Sequence, residues 1–342
     1  MPATYNVNRP GQIQGSGDPF ALFLKMFSGE VLATFERKVA TAGTYLEKKV
    51  TAGKSHQFPA LGRAQAKRHT VGENILDPTN GYLSQIKGDE RVILVDSPIL
   101  SSVILSDWEE ALNHFETRQE YVNKLVEELV IAHDTNVLSV GIAAARTNLT
   151  FTHPDYVANR SLEGAFGDAD SIYDGLMRAA EVFDQNDVPD GDRYCFLRPR
   201  EYHALMYKFA GGVFSPGALM NGDFVQGGIG AFESARITRP IAGFQIRMTK
   251  NLPSTNKAAV DDDVGGTARN DVFGSNGHGY NGDFSKVKGL CVHKKAVGTV
   301  SLWDVDTQAE YKIEAQGHLT VCRISEGHGV LRPEAAVELV TP

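Results

Sequence analysis

The run "DPFALFLKMFSGEVLATFERK" from Asp18 sets Phe20, Phe23, Leu24, Phe27, Val31 and Phe35 at three- and four-residue intervals. That is the spacing of one face of an α-helix. Asp18 stands where a helix cap is wanted and Pro19 at the first helical position. The preceding residues 1–17, rich in Gly, Asn, Gln and Ser, predict a flexible tail. The result is an amphipathic helix with an aromatic face and little local chain to cover it. Such a face docks on the body of its own chain or on another subunit.

Between residues 56 and 97, Gly, Pro and Asn punctuation at "FPALG", "VGEN" and "DPTNGY" separates "KSHQF" from "ERVILVD". This predicts a long two-stranded excursion whose tip, about 72–84, is too polar for a core of its own. A lone hairpin is marginal in water, so it needs a surface to lie on. Next, Ser106 and Glu109 have capping-box spacing, and Trp108, Leu112, Phe115, Val122, Val126, Leu129, Val137 and Val140 follow one helical face. No Pro interrupts residues 106–146, so at ~1.5 Å per residue the pattern predicts a rod of roughly 60 Å. Shorter elements follow: a helix over 168–182, a strand at "RYCFL" breaking at Pro199 into a helix, and a strand at "GFQIRMTKNLP". After a long Gly/Asn/Asp loop over 254–285, strand-like runs occur at Leu290–His293, Val300–Trp303 and Leu319–Ile324.

The chain has 342 residues, 42% hydrophobic and 22% charged, enough for a substantial core. No stretch is apolar enough to span a membrane, and the polar start does not resemble a secretory signal. Net charge is −8, which argues against sequence-reading of nucleic acid, since such proteins carry a basic face. The charge is unevenly placed. Residues 1–70 hold ten Lys and Arg against four acids, a balance of +6, while the remainder holds 24 against 38, or −14. A basic arm on an acidic body could meet nucleic acid, or lie across the acidic body of an identical neighbour.

The candidate chemistry dissolves on inspection. Gly53-Lys54-Ser55 ends like a phosphate-binding loop, but Lys48 stands where the first glycine is required, and Pro59 disfavours the helix that should follow. His278, His293, His318 and His328 lack metal-ligand spacing, with His278 and His328 in Gly-His-Gly turns. Asp261, Asp262 and Asp263 lack the alternating oxygen ligands of a calcium loop. Cys195, Cys291 and Cys322 form no close pair in sequence, and each lies in an apolar run. Nothing brings Cys195 to His203 as nucleophile and base. No catalytic, cofactor or metal residue is therefore expected.

Five ordered runs, "ALFLKMFSGEVLATFER", "GKSHQFPALGRAQA" with "VGEN", "DWEEALNHFETRQEY", "AVGTVSLWD" and "EGHGVLRPEAA", resemble the major capsid protein of short-tailed phages of the autographivirus type. The resemblance covers nearly the whole chain. It implies the α+β tailed-phage capsid fold shared with encapsulins and the herpesvirus capsid floor. The implied parts are an N-terminal arm (1–56), an E-loop hairpin (57–97), a P-domain with a spine helix (98–165), an A-domain (166–289), P-domain strands (290–325) and an A-domain return (326–342). It further implies hexamers and pentamers in an icosahedral shell, a scaffolding protein, a portal protein, and packaged double-stranded DNA bound without sequence specificity. The implied location is the virion capsid, after assembly in the host cytoplasm. On this reading Lys48, Lys49, Lys54, Arg63, Lys67 and Arg68, with Phe20, Phe23 and Phe27 of the arm, form intersubunit contacts. The alternatives are an encapsulin-like cargo shell, a cytosolic enzyme using His or Cys, and a DNA-binding protein working through the arm. Sedimentation separates them, because a shell protein runs as capsomers or particles and an enzyme of this size as a small oligomer.

Overall fold

The computed structural model describes residues 39–62, 64, 66–83, 86, 88–108, 118–148, 156–157, 159–210, 240–256, 280 and 282–342. The aromatic helix expected from Asp18 and most of the 254–285 loop lie outside these residues. In chain order the elements are β1 (Leu46–Lys49), β2 (Ser55–Leu61), β3 (Gly88–Leu94), β4 (Ile99–Ser106), α1 (Arg118–Arg146), β5 (Ser161–Glu163), α2 (Ala169–Gln185), β6 (Arg193–Leu197), α3 (Pro199–Ala210), β7 (Gln245–Met248), β8 (Val287–His293), β9 (Val297–Lys312), β10 (Gly317–Val330) and β11 (Ala336–Val340). The fold is α+β. It divides into one compact unit built on residues 95–134 and 301–326, and a second built on 40–94, 135–300 and 327–342.

In the first unit, β10 pairs antiparallel with β4 from Gly317↔Ser106 to Ile324↔Ile99. The two-residue alternation of a strand sends Cys322 and Ile324 inward, where they meet Leu125, Val126 and Leu129 of α1. Leu100 and its register partner Arg323 take the opposite face. There Arg323 donates to Asp306 Oδ2 at 2.9 and 3.1 Å and lies 4.7 Å over the Trp303 ring. At the far end of the ladder Gly317 leaves no room for a side chain. A Cβ there would stand 2.3 Å from the Leu105 carbonyl oxygen.

The second unit is organised on a mixed five-stranded sheet ordered β5-β11-β8-β6-β7. β11 runs parallel to β5 and β7 parallel to β6, while β8 is antiparallel to both β11 and β6. All five residues of β6 are buried, the mark of a strand covered on both faces. Helix α2 turns Ile172, Leu176, Ala179, Val182 and Phe183 into the core, a three-four spacing that buries one stripe. The last turns of α1, "VLSVGIAAA", are buried at Val137, Leu138, Val140, Ile142, Ala144 and Ala145. Arg146 then closes the helix, donating from Nε at 3.0 Å to each oxygen of Glu338 and from Nη2 at 2.9 Å to Oε2. Glu338 lies on β11 with its side chain 2% exposed, and it also accepts from Ser161 Oγ of β5. A forked charge-assisted pair of this kind ties helix end to sheet.

Several expectations change against this frame. Ser106 is the last residue of β4, Glu109 lies outside the described residues, and Trp108 is 71% exposed. Asp107 and Trp108 are helical, residues 109–117 lie outside the described residues, and the 29 residues Arg118–Arg146 form one helix, about 43 Å at ~1.5 Å per residue. Strands β9 and β10 are longer than their apolar runs, with 16 and 14 residues, because backbone pairing extends a strand through polar residues, Thr307 to Tyr311 of β9 being exposed on both faces. Strand β8 crosses the 289/290 boundary drawn from the sequence and pairs within the second unit. The three cysteines do contain a close pair. Cys195 and Cys291 stand directly opposite each other across β6 and β8, since the sheet joins segments distant in sequence.

Replacing Gly317 by Ala forces a methyl against backbone rather than against a yielding side chain. We expect G317A to cost about 1–3 kcal/mol, the range for overpacking a filled site, read as a lowered denaturant midpoint with an unchanged slope. A midpoint equal to wild type would show that the β4–β10 approach can relax.

Candidate assembly interface

The hairpin expected from the sequence is present as β2 and β3, paired antiparallel from Ser55↔Leu94 to Leu61↔Gly88. Alternation along β2 buries Phe58 and Ala60 and leaves Ser55, Gln57, Pro59 and Leu61 exposed. Pro59 contributes no N–H, which a two-stranded ribbon tolerates where the missing donor would face outward. The ring of His56 meets Phe58 edge-on at 4.9 Å. At the root, Ile93 is 3% exposed and fills a hollow that exists because Gly298 and Gly329 carry no side chains. A Cβ on Gly329 would lie 2.8 Å from Ile93 Cγ1, and one on Gly298 2.9 Å from Ile93 Cδ1. One apolar knob thus seats the hairpin on the start of β9 and the end of β10, within the second unit.

Beyond the strands the loop ties itself together. Lys67 Nζ donates to the Asn80 carbonyl at 2.5 Å and sits 5.2 Å over the Tyr82 ring. The Tyr82 hydroxyl accepts from Thr70 N–H at 3.0 Å and donates to Glu73 Oε2. His69 Nε2 donates to the Glu73 carbonyl at 3.0 Å. Asn74 and Asp77 each accept a backbone N–H two residues on, from Leu76 and Thr79, at 3.0 and 2.9 Å. These are Asx turns, which shape a chain without a core. The Thr79 backbone and then side-chain hydrogen bonds hold the Asp77 carboxyl below its ordinary range.

This polar network buries none of the apolar side chains around it. Leu61, Val71, Ile75, Leu76, Leu83 and Ile86 are all more than half exposed, Val71 at 97% and Leu76 at 73%. Six apolar side chains exposed along one loop make it a candidate contact surface. The sequence reading saw the polar punctuation of the tip and passed over these residues. Their signal was present, as isolated Val, Ile and Leu between turn residues, but without periodicity to reveal a common side.

The basic residues proposed from the sequence separate into distinct situations. Lys48 and Lys49 are exposed neighbours on β1, leaving the strand on opposite faces. Lys54 is exposed in the turn entering β2, where a strand rather than a helix follows Gly53-Lys54-Ser55. Arg68 is exposed, whereas the Lys67 ammonium is engaged inside the loop. Arg63, Phe20, Phe23 and Phe27 lie outside the described residues.

The residues weighed as chemistry have structural partners. Cys195 is buried against Cys291 while His203 is exposed. The Cys195 hydrogen bond, and then burial, push the Cys291 thiol well above its ordinary pKa, the reverse of an activated nucleophile. His293 Nδ1 accepts from Lys295 N–H at 3.1 Å, closing a turn, and burial followed by the nearby Lys295 lowers its pKa. His318 lies 4.0 Å from Asp107 and edge-on to Tyr311. His328 is hydrogen-bonded to Thr299 Oγ1 at 2.9 Å. His278 and Asp261 to Asp263 lie outside the described residues.

Comparison with known proteins places this geometry. A family model described as Gp10A-like major capsid protein matches residues 57–340. The chain is 31% identical to the major capsid protein of Escherichia phage T7 across 97% of this chain and 95% of that one. It is 29% identical to the major capsid protein of Enterobacteria phage T3 with the same coverage. Among solved structures, the capsid of cyanophage P-SCSP1u matches with a TM-score of 0.71 at 28% identity over 99% of each chain. The mature capsid of bacteriophage PhiM1 matches with a TM-score of 0.65 at 16% identity, over 93% of this chain and 91% of that one, a likeness of fold. Matched by that family model over residues 57–340 and by the T7 protein over nearly its whole sequence, the chain belongs to the Gp10A-like major capsid proteins, a family of phage shell components and not of enzymes.

Proposed function

We propose that this chain is the repeating subunit of an icosahedral shell, arranged as hexamers and pentamers and held together through its arm and its β2–β3 hairpin. The shell is assembled in the host cytoplasm with a scaffolding protein, joined to a portal protein, and filled with double-stranded DNA held without sequence specificity. The observation that carries the reading is the hairpin tip. It is internally tied by Lys67, Tyr82, Glu73 and Asn74, yet leaves Val71, Ile75 and Leu76 in solvent. A second copy is the partner that supplies cover, because a shell subunit meets its own kind on every side. We assign the first compact unit to the P-domain and the five-stranded unit to the A-domain.

Charge supports the same contact. The +6 of residues 1–70 against −14 elsewhere draws the arm and hairpin root of one copy to the body of the next. Within this set Lys48, Lys54 and Arg68 are exposed and Arg63 joins them as a proposed contact. Phe20, Phe23 and Phe27 supply the apolar part of the arm's contact.

The test is expression with a scaffolding protein, followed by sedimentation and negative-stain imaging. Wild type should give closed particles. V71D with L76D should leave a folded subunit of unchanged circular dichroism that forms none, because each aspartate would have to be desolvated in the contact at several kcal/mol. Normal particles from this double variant would remove the hairpin from the interface.

Reversing charge at Lys48, Lys54, Arg63 and Arg68 together should slow assembly measured by light scattering. Raised salt should slow the wild type in the same direction, since exposed charges are screened over about 8–10 Å at physiological ionic strength. Assembly of the quadruple variant at the wild-type rate would show that the charge imbalance does not steer the contact.

A further inference from the structure

The arm was expected to include residues up to 56, but its last residues are built into the body. Thr41 and Thr44 are buried at 0% and 3% exposed. Thr44 donates from both its N–H and its hydroxyl to the Thr41 carbonyl, at 3.0 and 2.7 Å. The turn passes through Gly43 at φ +76°, a left-handed conformation that favours glycine. Tyr45 then packs against the main core. This is a formed turn on the second unit, at the point where residues 1–38 depart.

Arg247, on the edge strand β7, reaches this turn across the fold. Its Nη1 donates at 2.8 Å to the carbonyl of Ala40 and at 2.8 Å to that of Ala42. Its guanidinium lies 4.8 Å over the ring of Tyr194 on the adjacent strand β6. A guanidinium over an aromatic ring, with one nitrogen donating to two backbone carbonyls, fixes the turn to the sheet edge. A lysine could donate to the same carbonyls but lacks the delocalised cation that stacks on the ring.

We infer that Arg247 is a positioning residue for assembly, clamping the root of the N-terminal arm and so directing residues 1–38 toward the neighbouring copy. This rests on the reading of the arm as an intersubunit element. The body does not need the clamp to hold its shape, because Thr44, Tyr45 and Tyr194 remain packed without it. Loss of Arg247 frees the departure point and leaves the sheet intact.

The experiment uses the full chain in four forms: wild type, R247A, R247K and a deletion of residues 1–38. Hydrogen exchange by mass spectrometry reads protection at residues 39–45, and light scattering with scaffolding protein reads assembly. R247A should lose protection at 39–45, lower the melting temperature by no more than a few degrees, and assemble about tenfold more slowly, a modest effect for the loss of two charge-assisted hydrogen bonds. R247K should recover part of both losses in parallel, which a general packing defect would not do. R247A assembling at the wild-type rate while the arm deletion fails would overturn the clamp and leave the arm reading standing. A deletion that assembles normally would overturn the arm reading and the clamp with it. Should R247A fail to fold, R247Q, which keeps a donor and most of the volume, decides by the same two measurements.

Discussion

A carboxylate among apolar strands is a cost that must be met by donors, and Glu338 is where this fold meets it. Both oxygens accept from Arg146, and Oε1 also accepts from Ser161. Arg146 uses its remaining nitrogen on the Asp283 carbonyl at 2.7 Å. Four segments are thereby held at one point: the end of α1, the edge strand β5, the strand β11 and the turn before β8. Removing one partner of a buried pair leaves an uncompensated charge at about 3–5 kcal/mol, a figure reduced here because Arg146 is 35% exposed. The apolar turns of α1 and the buried strands β6 and β8 are organised around that junction.

Against this fixed sheet the hairpin is stabilised differently at its two ends. Its root is apolar and close-packed, with Ile93 in a hollow that any side chain at Gly298 or Gly329 would fill. Its tip is held chiefly by hydrogen bonds, through Tyr82, Lys67 and two Asx turns, with Lys67 and His69 against the Tyr82 ring. Hydrogen bonds give the loop a shape, but in water each contributes only about 1 kcal/mol net. The burial that would add more is withheld, since Val71 and Leu76 stay in solvent. A subunit that keeps apolar surface in reserve on a shaped loop is suited to spending it on a neighbour.

The absence of chemistry has a physical basis in the same packing. The thiols face each other in a sheet interior, and the Cys291 proton is held by its partner and by burial. Among the described histidines, His293 closes a turn, His318 meets the Tyr311 ring, His328 pairs with Thr299 and His133 with Glu326. Arg146, Arg323 and Arg193 each join carboxylates or carbonyls within their own unit. Structure and family agree on a molecule whose work is contact.

Local periodicity in the sequence was sufficient for elements whose neighbours in space are neighbours in chain. The stripe of α2, the Pro199 break between β6 and α3, the strand β7, and the paired β2 and β3 were all legible, because spacing of three to four or of two residues encodes a buried face directly. Long ordered motifs also carried the family. The tertiary structure alone decided that Cys195 meets Cys291, that Ile93 finds Gly298 and Gly329, that Glu338 receives Arg146, and that Arg247 clasps Ala40 and Ala42. Those partners lie far apart in the chain, and which of them meet depends on the path of the backbone between them. The length of β9 and β10 belongs with them, since a polar stretch such as "DVDTQAEYK" has no apolar face of its own and becomes a strand through the hydrogen bonds that a paired strand provides.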